Sequence, residues 1–143
     1  MSELINRNGE RAIFTIKEVG DRYKLIYQII GGKKASAFCY SLKSAEELQK
    51  MWEYKFEKRG LCVYKFNMSV GTTNFFGLIL ASKKEVDRIV NTKISLLNEG
   101  VDEEVLINND MFQLVTDKER DVDQIISLGM LGGFNPFDYE VFF

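Results

Sequence analysis

The 143-residue sequence contains no histidine. Imidazole is the most frequent general base near neutral pH, and it activates serine and cysteine nucleophiles in many enzymes. It is also a common ligand of zinc. A Ser-His or Cys-His pair within the chain is therefore excluded, and so is any zinc site that depends on imidazole.

Cysteine and proline are scarce, with two cysteines and one proline. Cys39 and Cys62 are 23 positions apart, and no CxxC pair occurs. Each lies in a run typical of a β-strand, and free cysteine is among the most often buried residue types. We expect two free thiols in the core of a cytoplasmic protein, because the cytoplasm keeps thiols reduced.

Long apolar runs are absent as well. The longest, Phe75–Ala81, is interrupted by Gly77 and is far shorter than the roughly 20 residues of a membrane-spanning helix. The first residues, MSELINRNGER, lack the apolar segment of a secretory signal. With 45% hydrophobic and 28% charged residues, the composition is that of a folded globular protein. We expect residues 1–143 to form a single domain with no membrane partner.

The net charge of −2 conceals an unequal distribution of charge along the chain. Residues 1–70 contain 13 basic and 8 acidic residues, a net +5, whereas residues 71–143 contain 6 and 13, a net −7. The sign changes at the sequence GTTN, Gly71–Asn74. We therefore predict two lobes, a basic one (1–70) and an acidic one (71–143). Such asymmetry can mark an interaction surface, and two solvated faces are the alternative.

Alternation and turn signals predict the order βββαβ for the basic lobe. Turns are expected at Gly20-Asp21 and at Gly31-Gly32. The last strand has apolar residues at every even position from 62 to 70, which indicates one buried face. The predicted strands are Ala12–Glu18, Arg22–Ile30, Ala35–Ser41 and Leu61–Val70.

The helix of the basic lobe has clear start and stop signals. Ser44 and Glu47 fit a capping box, so the helix is expected to begin there. Gly60 is placed to end it, because glycine readily adopts a positive φ. Its predicted apolar stripe consists of Ala45, Leu48, Met51, Trp52 and Phe56.

The acidic lobe is predicted to follow the order βαβββα and to end in an aromatic strand. Two more boxes, Ser82–Glu85 and Thr116–Glu119, indicate where its helices begin. An acidic turn is expected at Glu99–Glu104 and a hairpin turn at Asn108–Asp110. The predicted strands are Phe75–Leu80, Thr92–Leu97, Val105–Ile107 and Met111–Val115.

Thr92–Leu97 also fits the apolar stripe of the helix before it. Asn91-Thr92 is a poor helix interior, however, and this favours the strand. Together the elements predict an α+β fold of one domain with two lobes. It is mainly an antiparallel sheet of about seven to eight strands, with three short capped helices.

Neither the acidic segments nor the glycine-containing segment Gly31–Lys34 has the sequence pattern of a known ligand site. The alternating acids of residues 117–123 resemble a calcium loop, but the sixth position lacks glycine and the twelfth is Leu128. Glu99 and Asp102–Glu104 form a second acidic cluster, which is expected to be exposed. Gly31–Lys34 has neither phosphate-loop spacing nor dinucleotide-loop order, so solvated lysines in a hairpin turn are expected. We predict no metal, no cofactor and no catalytic residue.

The order of three strands and a helix over residues 12–59 resembles the arm-type DNA-binding modules of some recombinases. Those modules read DNA with a basic strand face. The resemblance covers about a third of the chain and concerns element order, without a specific sequence motif. The residues that it would assign to nucleic acid are Arg22, Lys24, Lys33 and Lys34.

The chain ends in the aromatic segment Gly132–Phe143, which also contains Pro136. Alternation around residues 137–141 predicts a final strand that begins near Pro136 and buries its aromatic side chains. The alternative is an exposed patch that docks on another protein or on a second copy of the chain. The residues predicted to bind a partner in this way are Phe134, Phe137, Tyr139, Phe142 and Phe143.

Three functions follow from these observations. The first is a non-catalytic cytoplasmic module that binds another protein. The composition, rich in Lys, Asn and Ile, suggests an accessory protein of a bacteriophage or mobile element that inhibits or modulates a host protein in the host cytoplasm. The second is nucleic-acid binding by the basic lobe. The third is a small enzyme that uses carboxylates alone, which the missing motifs argue against.

Overall fold

The computed structural model of the chain describes residues 1–139 and 141–142, with side chains described through residue 139. Two compact units are present, Met1–Arg59 (the N-terminal unit) and Gly60–Phe143 (the C-terminal unit). Each unit combines antiparallel strands with helices, so the predicted α+β fold with mainly antiparallel sheet is confirmed. Among the helices of the described residues, none is long and apolar enough to cross a membrane.

The N-terminal unit is a four-stranded antiparallel sheet with one helix. The strands lie side by side in sequence order, and helix α1 (Leu42–Lys58) contacts β2, β3 and β4. Phe14 and Tyr27 of the sheet pack against Trp52 and Phe56 of the helix. The strands are β1 (Ser2–Ile5), β2 (Arg11–Val19), β3 (Arg22–Ile29) and β4 (Lys34–Cys39).

Strand β1 was not predicted, because four residues with only two apolar side chains give no strand signal.

The buried side chain of Asn6 holds the turn that follows β1. The side-chain Nδ2 of Asn6 donates to the backbone carbonyl of Phe56 at 3.1 Å and to the carboxylate of Glu10 at 3.1 Å. Its side-chain oxygen accepts from the backbone amide of Glu10 at 2.9 Å. Burial acts to raise the pKa of Glu10, but hydrogen bonds from Asn6 and Arg59 outweigh it, so the pKa is lowered.

The predicted start of α1 at Ser44 is wrong. The cap is Ser41, whose side chain accepts from the amide of Ser44 at 3.0 Å, so the helix begins one turn earlier. The two serines are three residues apart, and sequence alone does not distinguish them. Met51 is also 55% exposed and therefore lies off the buried stripe, whereas Ala45 and Phe56 are buried as expected. Gly60 has φ +76° just after the helix, as its predicted role requires.

The C-terminal unit contains two sheets with one shared apolar core. The first sheet has the order β10-β6-β5-β9 and the second β11-β7-β8. Helix α2 (Lys83–Ile89) contacts β6, and α3 (Glu119–Ser127) contacts β5. The strands are β5 (Leu61–Val70), β6 (Thr73–Ser82), β7 (Lys93–Asn98), β8 (Val101–Leu106), β9 (Phe112–Thr116), β10 (Gly132–Gly133) and β11 (Val141–Phe142).

Several predictions for this unit are confirmed. Strand β5 has the predicted bounds, and all its even positions are buried in the core. The capping box at Ser82 is formed in both directions, since its side chain accepts from the Glu85 amide and the Glu85 carboxylate accepts from the Ser82 amide. The ambiguous segment after α2 is strand β7. Cys62 is free and buried as predicted, and so is Cys39 of β4 in the N-terminal unit.

Three local predictions for this unit are wrong. Asn108–Asp110 does not turn a hairpin, because β8 pairs with β7 whereas β9 pairs with β5 in the other sheet. The acidic turn is only Glu99-Gly100, and residues 102–104 belong to β8. Thr116 is not the cap of α3, whose first turn has no side-chain cap. Its hydroxyl accepts from the Lys118 amide and donates to Asp121 instead.

The predicted lobe boundary at Gly71–Asn74 lies inside the C-terminal unit. Gly71 and Thr72 form the tight turn of the β5–β6 hairpin, and Thr73 and Asn74 already belong to β6. All ten residues of β5 pair with β6. The change of charge therefore occurs within a hairpin, eleven residues after the start of the unit at Gly60. The folding of all 143 residues as one domain stays a prediction.

Candidate functional site

The sheet of the N-terminal unit has two different faces. Side chains alternate between faces along a strand, and the pairing register fixes which residues share a face. The face that contains Phe14 and Tyr27 packs on α1. We call the opposite one the open face. Its residues are Glu3 and Ile5 of β1, Arg11, Ile13, Thr15, Lys17 and Val19 of β2, Arg22, Lys24, Ile26 and Gln28 of β3, and Lys34, Ser36 and Phe38 of β4.

Positive charge dominates the open face. It carries five cations, Arg11, Lys17, Arg22, Lys24 and Lys34, and one carboxylate, Glu3, which forms a salt bridge with Arg11. In the described part of the chain, the other four cations form no salt bridge. Four unneutralised positive charges therefore remain on one side of a small sheet.

One cross-strand row concentrates this charge. Lys17 lies directly opposite Lys24, and Lys24 lies directly opposite Phe38. Like charges in this arrangement destabilise a sheet, because the ammonium groups repel each other at short range. Lys17 is exposed, and Lys24 is partly buried beside its neighbours. The row of Lys17, Lys24 and Phe38 is the centre of the candidate site.

Two exposed aromatic rings accompany the cations. Phe38 is 55% exposed, and the ammonium of Lys24 lies 5.5 Å from its ring centroid. Tyr40, just beyond β4, is 84% exposed, and the guanidinium of Arg22 lies 5.5 Å from its ring centroid. A cation at this distance is attracted to the face of the ring. Each exposed ring is thus held beside a positive charge.

The structure brings together most of the residues assigned to nucleic acid from the sequence. Arg22, Lys24 and Lys34 share the open face. Lys33 is exposed in the β3–β4 turn, which is the predicted hairpin. Sequence reasoning missed four contributors, namely Arg11, Lys17, Phe38 and Tyr40. Alternation within β2 could have placed Lys17 outward, but only the register shows that it faces Lys24.

The aromatic tail is largely engaged within its own unit. Phe134 stacks on Phe66 with ring centroids 5.7 Å apart and lies 4.9 Å from Phe75. Phe137 contacts Phe112, and both belong to the edge of the core. Tyr139 stacks on Phe134 and remains 37% exposed. The side chain of Phe142 and all of Phe143 lie outside the described residues.

The predicted strand through Phe137 is wrong, because Pro136–Asp138 is a short 3-10 helix. The side chain of Asn135 accepts from the amide of Phe137 at 3.0 Å and caps this turn. Pairing with the sheets occurs on either side of it. Gly132–Gly133 pairs with β6, and Val141–Phe142 pairs with β7.

The acidic segments do not assemble a ligand site. Glu119, Asp121 and Asp123 lie along α3, and Asp117 forms a salt bridge with Lys83 at 3.2 Å. On β8, Asp102 and Glu104 are exposed. In the parts of the chain that are described, no three acidic or cysteine side chains are arranged to hold a metal ion.

The two buried groups of β5 with perturbed pKa values are a thiol and a phenol. Burial raises the pKa of the Cys62 thiol, so it stays neutral and poorly nucleophilic at pH 7. Burial, with the neighbouring Cys62, raises the pKa of Tyr64 to about 12. Both side chains lie in the core of the C-terminal unit, where they pack with apolar residues.

Comparisons with protein-family models, with curated proteins and with solved structures found no match to this chain.

Proposed function

We propose that the protein binds nucleic acid through the open face of the N-terminal sheet. The observation that carries this proposal is the cross-strand row in which Lys17 faces Lys24 and, among the described residues, neither lysine forms a salt bridge. A polyanion lying across the row would neutralise both ammonium groups. Relief of the repulsion between the two ammonium groups would then add to the free energy of binding.

The chemistry of the face suits a phosphate backbone. Lysine and arginine that contact phosphates release condensed counterions, and this release drives binding. Arg22 and Lys24 lie on β3, and Lys34 lies on the neighbouring strand β4 opposite Gln28. Lys34 is therefore roughly 13 Å along the sheet from Lys24, a distance that one extended strand of nucleic acid can span. The turn residue Lys33 adds a further charge at the edge of the sheet. A binding site of this kind needs no cofactor and no catalytic group.

A triple substitution tests the proposal. The variant Lys17→Gln/Lys24→Gln/Lys34→Gln should bind a fluorescein-labelled oligonucleotide more weakly in an anisotropy titration. The slope of log affinity against log salt should fall by about 2 to 3, because each lost phosphate contact contributes about 0.7–0.9. Glutamine keeps a polar side chain of similar length, so the sheet should remain folded.

The matched control is Lys43→Gln/Lys50→Gln/Lys55→Gln. These three lysines are exposed on α1, in the same unit, and their loss changes the net charge by the same amount. Binding and salt slope should stay near those of the unaltered protein. Equal losses in the two triple variants would mean that net charge alone matters. That result, or an absence of binding at low salt, would contradict the proposal.

Binding of a partner protein by the tail stays a prediction, as does an origin in a bacteriophage or mobile element. The packing of Phe134 and Phe137 against their own core weakens the tail as a docking surface, since leaving that core would expose apolar area. Among the described residues, no group of carboxylates forms a site that favours the third predicted function, a small enzyme that uses carboxylates alone. We therefore place nucleic-acid binding first.

A further inference from the structure

We infer that the nucleic acid bound by the open face is single-stranded, with bases stacked on Phe38 and Tyr40. This inference rests on the proposed function and adds the class of ligand. It is carried by the two exposed rings, each with a cation beside it. The rings would bind base faces while Lys24 and Arg22 contact the adjoining phosphates.

The exposure of the rings is the first step of the argument. Phe38 is 55% exposed, so much of its apolar area is not removed from water, and it lies in a row with two lysines. Base stacking on an aromatic ring is favourable for every base, because each base has a π-face. The combination of aromatic platforms and a basic surface is typical of proteins that bind single strands without sequence preference.

The width of the sheet is the second step. Four strands about 4.8 Å apart place the outer backbones roughly 14 Å from each other. The major groove of B-DNA is about 12 Å wide and admits a helix or two strands. The open face is therefore too broad to enter that groove. A single strand has no groove and can lie flat across the sheet.

The accessibility of base faces is the third step. In a duplex, each base is stacked between its neighbours, so its faces are closed to a protein ring. Unpaired bases can splay out and stack on aromatic side chains. Phe38 and Tyr40 are two residues apart in the sequence, and two residues of extended chain span about 7 Å. Two unstacked bases of one strand can reach both rings across that distance.

The first experiment uses the unaltered full chain. Anisotropy titrations compare a 15-nucleotide oligothymidylate, its RNA counterpart oligouridylate, and the duplex of oligothymidylate with oligoadenylate. At least one single strand should bind more tightly than the duplex, by about 5-fold or more, since one stacked base contributes about 1–3 kcal/mol. The two single-stranded arms show whether the ligand is DNA, RNA or both.

The second experiment removes the rings. Phe38→Leu and Tyr40→Leu should each weaken single-strand binding by about 5- to 150-fold, while duplex binding changes little. The matched control is Tyr54→Leu on α1. Tyr54 is also exposed and also has a cation beside it, the ammonium of Lys58 at 5.4 Å from the ring centroid. Its replacement should leave affinity unchanged.

A fluorescent reporter tests stacking directly. Trp52 is the only tryptophan, so Phe38→Trp in a Trp52→Phe background places the sole indole on the open face. Oligothymidylate should quench its emission, whereas an indole placed by Tyr54→Trp in the same background should not respond.

The outcomes separate the two proposals. The single-strand inference would be overturned if the affinity for the duplex equals that for the single strands and if Phe38→Leu and Tyr40→Leu leave both affinities unchanged. The proposed function would then still stand. Failure of all three oligonucleotides to bind would overturn both.

Discussion

Lys17 and Lys24 are the pair of residues at which we expect stability and the proposed binding of nucleic acid to oppose each other. The register places them directly opposite on adjacent strands. Repulsion between their ammonium groups weakens the sheet in the free protein, and a bound phosphate would relieve it. A substitution that helps the free protein should therefore harm binding.

The variant Lys17→Glu separates these effects. It replaces a like-charge pair with an attractive one, so the free energy of unfolding should rise by about 0.5–1 kcal/mol. Affinity for an oligonucleotide should fall, because one cation is lost and one anion is gained. Urea unfolding followed by the emission of Trp52, the single tryptophan, reports on the N-terminal unit that contains it.

Lys43→Glu serves as the control for this variant. It makes the same change in net charge at an exposed position in the first turn of α1, away from the open face. A carboxylate there complements the helix dipole and adds stability of its own, so affinity is the readout that discriminates. Lys43→Glu should leave the affinity for the oligonucleotide nearly unchanged. If Lys17→Glu lowers stability or leaves binding intact, the repulsion has no functional meaning.

At the scale of residues, three S/T-x-x-E motifs of equal length predict three capping boxes, and a local motif alone does not decide which of them forms. The Ser82–Glu85 box is formed as predicted. Ser44 is not the cap of α1, because that helix is capped by Ser41, and Thr116 does not cap α3. The facing lysines could not be predicted, since pairing between strands is not encoded by either strand alone.

Among the secondary-structure elements, β10 is the one that depends most on glycine. A Cβ atom at Gly77 would lie 1.9 Å from the carbonyl oxygen of Gly132, so only glycine allows this close approach of β6 and β10. The approach in turn places Phe134, whose amide donates to the carbonyl of Phe76 at 3.0 Å. The position of the aromatic tail therefore depends on a residue more than 50 positions earlier.

Gly77→Ala should release this contact. The added methyl group cannot be accommodated against backbone, so β10 should separate from β6 at a cost of about 1–3 kcal/mol. Amide hydrogen exchange of residues 132–134, followed by mass spectrometry, should become about 5- to 150-fold faster.

The control for Gly77→Ala lies in the partner strand. A Cβ atom at Gly132 would meet nothing within 4 Å, so Gly132→Ala should leave the exchange rate of the same segment nearly unchanged. Equal protection of the tail in the two variants would contradict the role assigned to Gly77.

The elements themselves were predictable where a pattern was long. Strand β5 has ten residues and strict alternation, and its bounds were predicted correctly. Strands β1, β10 and β11 have four, two and two residues, which is too few for any periodicity. Asn108–Asp110 predicts a hairpin because its residues tolerate the positive φ of a tight turn, whereas the segment connects strands of two different sheets.

At the scale of the whole molecule, the two units carry opposite charge. The N-terminal unit has 12 basic and 8 acidic residues, a net +4, and the C-terminal unit has 7 and 13, a net −6. The charge imbalance is visible in the sequence, and its change of sign lies eleven residues after the start of the C-terminal unit at Gly60. A tight β5–β6 hairpin holds both sides of this change of sign together.

The candidate site could be predicted only in part for the same reason. Arg22, Lys24, Lys33 and Lys34 were identifiable from their strands and turn. Arg11, Lys17 and the exposed ring of Phe38 share a face with the strand residues of this set only because β2, β3 and β4 pair in this register. That pairing is a property of the folded unit. The opposite net charges of the two units support the proposal that a polyanion binds the N-terminal unit and not the C-terminal one.

The most direct test of the central claim is a two-dimensional amide NMR spectrum of the full chain, titrated with whichever oligonucleotide form binds more tightly. The account predicts that the largest shift changes fall in β2, β3 and β4 and at Tyr40, with small changes in α1 and in residues 60–139. Changes concentrated in α1 or in the C-terminal unit, or a spectrum that does not change at all, would contradict it.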